Sequence, residues 1–193
     1  MSAAIRPVDE ADAEQILTIY GPIVTHSAIS FEVAPPTVDE MRARISSTLA
    51  RLPWLVCSEA EDLLGYAYAS QHRQRAAYQW SVDVSVYVRA EAQRRGIGRT
   101  LYGSLFEILR SQGYYNAFAG ITVPNEASIE LHRRLGFEPV GVYRRVGYKL
   151  GRWHDVTWWQ LMLRPADDFP SAPGKFATLG DSSETREDAP GAQ

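Results

Sequence analysis

Gln93-Arg94-Arg95-Gly96-Ile97-Gly98 stands between a strand-like run and a helix-like run. Upstream, residues 81–88 read Ser-Val-Asp-Val-Ser-Val-Tyr-Val, a period-two alternation of β-branched residues that predicts a strand. Downstream, Leu101, Leu105, Ile108 and Leu109 recur at helical spacing, and Gly113 supplies a stop. A glycine-bearing turn that opens a helix leaves backbone N–H groups unpaired beside the positive end of the helix dipole. That arrangement suits a phosphate. Gly96 and Gly98 allow close backbone approach, and Arg94 and Arg95 add positive charge at the same place. Such a turn also occurs as a purely structural device. Here the strand before it and the helix after it point to a phosphorylated cofactor.

Working outward, residues 4–7 read as a first strand and residues 9–24 as a helix with Ile16, Leu17, Ile19 and Tyr20 at helical spacing. Thr37-x-x-Glu40 is a capping box before a second helix that ends near Arg51. Residues 54–59 and 63–70 read as strands joined at Glu61-Asp62, and residues 77–88 as one long strand. After the phosphate-loop helix to Gln112 come a strand over 116–123, a helix over 125–135, and a closing pair over 140–149 and 153–163. Interleaved helices and strands around one mostly antiparallel sheet predict an α/β fold.

The chain has 193 residues, 45% apolar, and is expected to form one domain over residues 1–164. No apolar run approaches the length of a membrane span, and the N-terminus lacks the layout of a secretory signal. A lone cysteine, Cys57, cannot form an internal disulfide and suits a reducing cytoplasm. It lies in an apolar run, where a buried inert thiol is expected rather than a nucleophile. The net charge of −3 conceals an acidic end: residues 165–193 hold six acids and two bases, several prolines and almost no apolar periodicity. They read as a disordered tail. Dispersed basic residues on a nearly neutral body argue against nucleic acid or a membrane as partner.

The spacing Gln93-x-x-Gly96-x-Gly98 resembles the acetyl-CoA pyrophosphate motif of the GNAT superfamily of N-acetyltransferases. Asn125-x-x-Ser128-x-x-Leu131-His132-x-x-Leu135-Gly136-Phe137 looks like its second cofactor segment. Trp54-Leu55-Val56, Ala77-Tyr78-x-Trp80, Val86-Tyr87-Val88 and the run from Gly147 through Gly151, Trp153-His154-Asp155-Val156 and Trp159-Gln160-Leu161 look like phosphinothricin N-acetyltransferases, over residues 4–163. The resemblance implies the acyl-CoA N-acyltransferase (GNAT) fold, a mixed and mostly antiparallel sheet flanked by helices. It implies direct acetyl transfer from acetyl-CoA, without a metal, to a small amino-acid analogue such as phosphinothricin, methionine sulfoximine or methionine sulfone. A homodimer in the cytoplasm goes with it. Other readings are a protein or peptide N-acetyltransferase, and a CoA-binding module without turnover.

An ammonium cannot attack a thioester, so the chemistry needs a proton acceptor. Strict alternation turns Ser81, Asp83, Ser85 and Tyr87 to one face and Val82, Val84, Val86 and Val88 into the core. Asp83 is therefore read as the general base or as a solvated strand acid; the resemblance places a glutamate there, one methylene longer. Asn125, Ser128 and His132 share one helix face. His132 either protonates the departing thiolate or is a helix-surface histidine, and Asn125 is either a plain helix cap or, as the resemblance implies, a cap that also contacts the cofactor. Cofactor contacts are expected from Val86, Tyr87 and Val88 through their backbone, from Arg94, Arg95, Gly96, Ile97, Gly98 and Arg99, and from Asn125 and Ser128. For the substrate, Arg73 and Arg75 offer carboxylate-matched donors beside Tyr78, or form a solvated loop. His72 stands where the resembled family commonly has a tryptophan. Phe31, Trp153 and Trp159 are candidate pocket walls or core and interface anchors.

Overall fold

The computed structural model describes residues 3–176. Seven strands, β1 (Ala4–Pro7), β2 (Trp54–Glu59), β3 (Asp62–Gln71), β4 (Ser81–Val88), β5 (Asn116–Val123), β6 (Glu138–Lys149) and β7 (Arg152–Met162), form one sheet. Four helices accompany them: α1 (Ala13–His26), α2 (Val38–Leu49), α3 (Ile97–Gln112) and α4 (Glu126–Arg134). The strand order is β1-β2-β3-β4-β5-β7-β6, and every neighbouring pair is antiparallel except β4 with β5. The Thr37–Glu40 capping box is present, with Thr37 Oγ1 accepting from Glu40 N–H at 3.2 Å and Glu40 accepting from Thr37 N–H at 2.7 Å.

Both faces of the sheet are covered, so it is a three-layer sandwich around two cores. On one face α3 buries Leu101, Leu105 and Leu109 against Ala67, Val82, Val84 and Ala117. Each such leucine contributes about 1.5–3 kcal/mol by leaving water. On the other face α1 and α2 pack Ile16, Val24, Met41 and Ile45 against Val56, Leu63 and Tyr66. The expectation that Tyr87 lies on a face away from the core is therefore corrected. Its ring joins this second core, 5.3 Å from Tyr20 and 5.2 Å from Tyr66.

The parallel β4–β5 pairing is short, and that is the feature that positions the site. Ser81, Val82 and Asp83 pair with Asn116, Ala117 and Phe118. Beyond Asp83 the strands part: β4 continues on β3 as far as Val88, while β5 continues on β7 as far as Val123. A cleft opens between them, with Asp83 at its closed end.

Two expectations about the chain's course change. Residues 76–78 form a 3-10 turn, not strand, and β4 begins at Ser81. Residues 165–176 were expected to be disordered, yet they run back over the body. Trp80 Nε1 donates to Ser171 O at 2.8 Å, Gly174 N–H to Gln112 O at 2.7 Å, and Phe176 N–H to Arg51 O at 3.1 Å. Composition concealed this docking because its donors and acceptors are mostly backbone groups, which any sequence carries. The disorder expected of residues 177–193 lies outside the described residues.

Candidate active site

The phosphate turn takes the form its glycines predict, for two separate reasons. Arg94 at φ +62° and Gly96 at φ +82° are both left-handed, and Gly96 caps α3 without a side-chain bond. The first i→i−4 bond of α3 runs from Thr100 N–H to Gly96 O at 3.0 Å. The N–H groups of Ile97, Gly98 and Arg99 precede it and remain as donors. Gly98 serves a different need. A Cβ there would sit 3.3 Å from Leu131 Cδ2 and 3.7 Å from Val88 Cγ2, so its bareness lets α3 start tight against β4 and α4. That cradle brings the helix N-terminus, exposed Arg94 and Arg99 to the mouth of the cleft. Arg95 is turned to Glu59, with Nη2 3.1 Å from Oε2.

Along the cleft, β4 offers an unpaired edge. Arg89 N–H donates to Leu64 O of the β3 ladder at 2.8 Å. Antiparallel alternation then commits the backbone groups of Tyr87 to β3 and turns those of Val86 and Val88 toward the cleft. Tyr87 thus turns neither ring nor backbone to the cleft, whereas the backbone groups of Val86 and Val88 face it.

At the closed end, Asp83 Oδ1 lies 2.6 Å from His72 Nδ1. The imidazole stacks on Phe118, with centroids 4.3 Å apart and planes 18° from parallel, and meets Tyr78 and Trp158 edge-on at 5.9 and 6.4 Å. Arg73 lies over Trp158, 5.8 Å from the ring centroid, and donates to His72 O at 2.8 Å. Burial pushes the Asp83 carboxyl up, and the hydrogen bond and charge of His72, then the charge of Arg73, pull it back. The Trp158 indole N–H is buried and has no protein partner among the described residues.

α4 behaves differently from its sequence reading. Asn125 Oδ1 accepts from Ser128 N–H at 3.2 Å, a helix cap as expected. His132, placed by spacing on the cofactor-facing side or the surface, is only 3% exposed. Its Nδ1 lies 2.7 Å from Ser128 O, which can only accept, so Nδ1 carries the proton. Nε2 then accepts from Tyr102 Oη at 3.2 Å. Phe137 closes the pocket edge-on at 4.9 Å, and burial lowers the imidazole pKa. Both nitrogens are engaged inside the core, so the expected proton donation to a thiolate has no free N–H to draw on. The ring packs and satisfies.

These features can be set beside known proteins. The chain matches the acetyltransferase (GNAT) domain family over residues 5–158. It belongs to the GNAT acetyltransferases. A phosphinothricin N-acetyltransferase of Streptomyces coelicolor is 41% identical over 163 residues, which cover 82% of this chain and 95% of that protein. An L-methionine sulfoximine/L-methionine sulfone acetyltransferase of Pseudomonas paraeruginosa is 38% identical over 172 residues, covering 88% of this chain and all of that one. A GNAT phosphinothricin acetyltransferase from Sinorhizobium meliloti, solved with acetyl-CoA, superposes at TM-score 0.83 with 32% identity over 92% of this chain and all of that one.

Within this GNAT domain the sequence-derived candidates divide by position. Asp83, Arg73 and Tyr78 gather at the closed end of the cleft. Arg75 is exposed at the start of the 3-10 turn, and its cap makes no side-chain bond. Phe31 is set apart, with its ring over Gly147, where a Cβ would overlap it, and 6.2 Å from His154. Trp159 packs with the α3 core, and Trp153 is exposed beside Tyr148. Sequence reading missed His72, Phe118 and Trp158 as site residues. Strand parity could have found Trp158, since Trp159 faces the core. His72 required the β3–β4 register, with Ser70 opposite Asp83, and no local pattern carries that.

Proposed function

We propose that this GNAT acetyltransferase transfers acetyl from acetyl-CoA to the amino group of a small amino-acid analogue of the phosphinothricin, methionine sulfoximine or methionine sulfone class. The observation that carries this reading is the cleft itself, which leads from the N-terminus of α3 along the free edge of Val86 and Val88 to Asp83. The residues suit the cosubstrate. The N–H groups of Ile97, Gly98 and Arg99, with Arg94, would hold the pyrophosphate. The edge at Val86 and Val88 would pair with the pantetheine amides as an added strand, and its N–H groups would polarise the acyl carbonyl. Acetyl-CoA supplies the thioester. Arg73 is a donor for acidic oxygens of the acceptor, and Asp83 with His72 supplies basicity at the amine. The substrates for which the relatives above are named support the same class.

Thiol release from acetyl-CoA is expected with phosphinothricin, methionine sulfoximine or methionine sulfone, and little with a short peptide bearing a free N-terminus. A protein that ignores the free amino acids and acetylates the peptide would overturn the substrate class. Stabilisation by CoA without any turnover would reduce the reading to a binding module.

The same reading takes the chain as a homodimer acting in the cytoplasm, where the buried lone thiol of Cys57 is at home. β6 is one edge of the sheet and leaves Val140, Val142, Tyr143, Val146 and Tyr148 at least half exposed. Light scattering should give twice the 21.6 kDa chain mass. A monomer at micromolar concentration would reject the dimer.

A further inference from the structure

Asp83 does not meet the cleft alone. Its carboxylate is an acceptor, so the 2.6 Å contact places the proton of a neutral His72 on Nδ1 and the lone pair on Nε2. Nε2 makes no hydrogen bond among the described residues. Nor is it among the sealed unpartnered atoms there, which are Trp54 Nε1, Gln112 Oε1 and Trp158 Nε1. It therefore remains open to solvent. Stacking on Phe118 and the edges of Tyr78 and Trp158 fix the plane of the ring. Half-buried carboxylate, oriented imidazole and open second nitrogen together reproduce the logic by which a carboxylate turns histidine into a base.

We propose that His72 Nε2 is the general base of the acetyl transfer and that Asp83 is its positioning and charge-compensating partner. The proposal rests on the acetyl-transfer reading above and assigns the base within it. An aspartate is one methylene shorter than the glutamate expected at this position, and the ring of His72 restores the lost reach. The proton balance is simple. Nε2 takes one proton from the acceptor ammonium, leaving a neutral amine and an imidazolium paired with the Asp83 carboxylate. The amine lone pair forms the C–N bond at the thioester carbon, and the C–S electrons leave with sulfur. The second nitrogen proton ends on that sulfur, and His72 returns its proton to solvent. The ionisable groups facing His72 are Asp83 from β4, Arg73 from the β3–β4 connection and Tyr78 from the 3-10 turn. Phe118 of β5 and Trp158 of β7 carry no charge.

The test uses the full chain. His72→Ala should lower kcat by about 10²-fold or more, with acetyl-CoA affinity by calorimetry unchanged. Added imidazole should restore at least about tenfold of that loss, because the vacated face of Phe118 can take the free base. In the parent without ligands, nitrogen-resolved NMR should show neutral His72 as the Nδ1–H tautomer, and this arm needs no variant to fold. A kcat within threefold of the parent in His72→Ala, or an Nε2–H tautomer in the parent, would overturn the assignment while leaving the acetyl-transfer reading in place. A parent that transfers acetyl to no amine would sink that reading, and the base with it.

Discussion

Asp83→Asn is expected to lower kcat by about 10²- to 10⁴-fold while leaving acetyl-CoA affinity unchanged. The carboxylate meets His72 Nδ1 at 2.6 Å in a largely buried setting. A neutral amide removes the charge that balances an imidazolium. It can also present its NH2 to Nδ1, which would force the ring proton onto Nε2 and leave no lone pair facing the cleft. The loss is expected in kcat because the phosphate turn and the free edge of Val86 and Val88 lie further along the cleft and do not touch Asp83. Steady-state kinetics from pH 6 to 9, with calorimetry of CoA binding, check both halves. Rates within threefold of the parent across that range would remove Asp83 and its partner from the chemistry.

The second large effect concerns the guanidinium groups of the β3–β4 connection. By sequence Arg73 and Arg75 offer equivalent donors to an acidic substrate. The structure adds a sharper contrast. Both guanidinium groups are exposed, but Arg73 lies over Trp158 and its charge reaches Asp83, whereas Arg75 stands at the head of the 3-10 turn with no such contact. Arg73→Ala should therefore raise KM for phosphinothricin or methionine sulfoximine by tens to thousands of times. A bound substrate that covers Arg73 would desolvate the pair, and losing one partner of such a pair costs about 2–5 kcal/mol. Arg75→Ala should raise it less, and neither should move CoA affinity. Measuring kcat/KM for both variants decides the matter. Equal and small effects would mean that the acceptor's acid is gripped elsewhere. A large effect confined to Arg75 would mean that the turn closes on the substrate.

Much of the fold was legible because its signals are local. The alternation of residues 81–88, the Thr37–Glu40 box and the Gly113 stop each depend on side chains within a few positions of one another. The α3 entrance was legible for the same reason, since a left-handed residue before a helix is a steric demand on Gly96 itself. At Gly98 the sequence suggested close backbone approach, and the structure adds a packing reason in Leu131 and Val88, of which Leu131 lies far from it in sequence.

What the sequence by itself determined was thus the strand–turn–helix unit, most element boundaries, the covered face at Val82 and Val84, and Asp83 as an acid opposite that core. These follow from backbone sterics, capping and period. Only the tertiary structure decided what those residues meet. The β3–β4 register brought His72 onto Asp83. The packing of α4 on α3 took His132 out of reach and gave it to Tyr102 and Ser128. A second helical layer turned the face carrying Tyr87 into core, and backbone bonds to Gln112 and Arg51 drew residues 171–176 back onto the body. Each of these is a contact between segments distant along the chain. Its free energy depends on burial and partner geometry that exist only once the chain has folded, so no local pattern of residues could announce it.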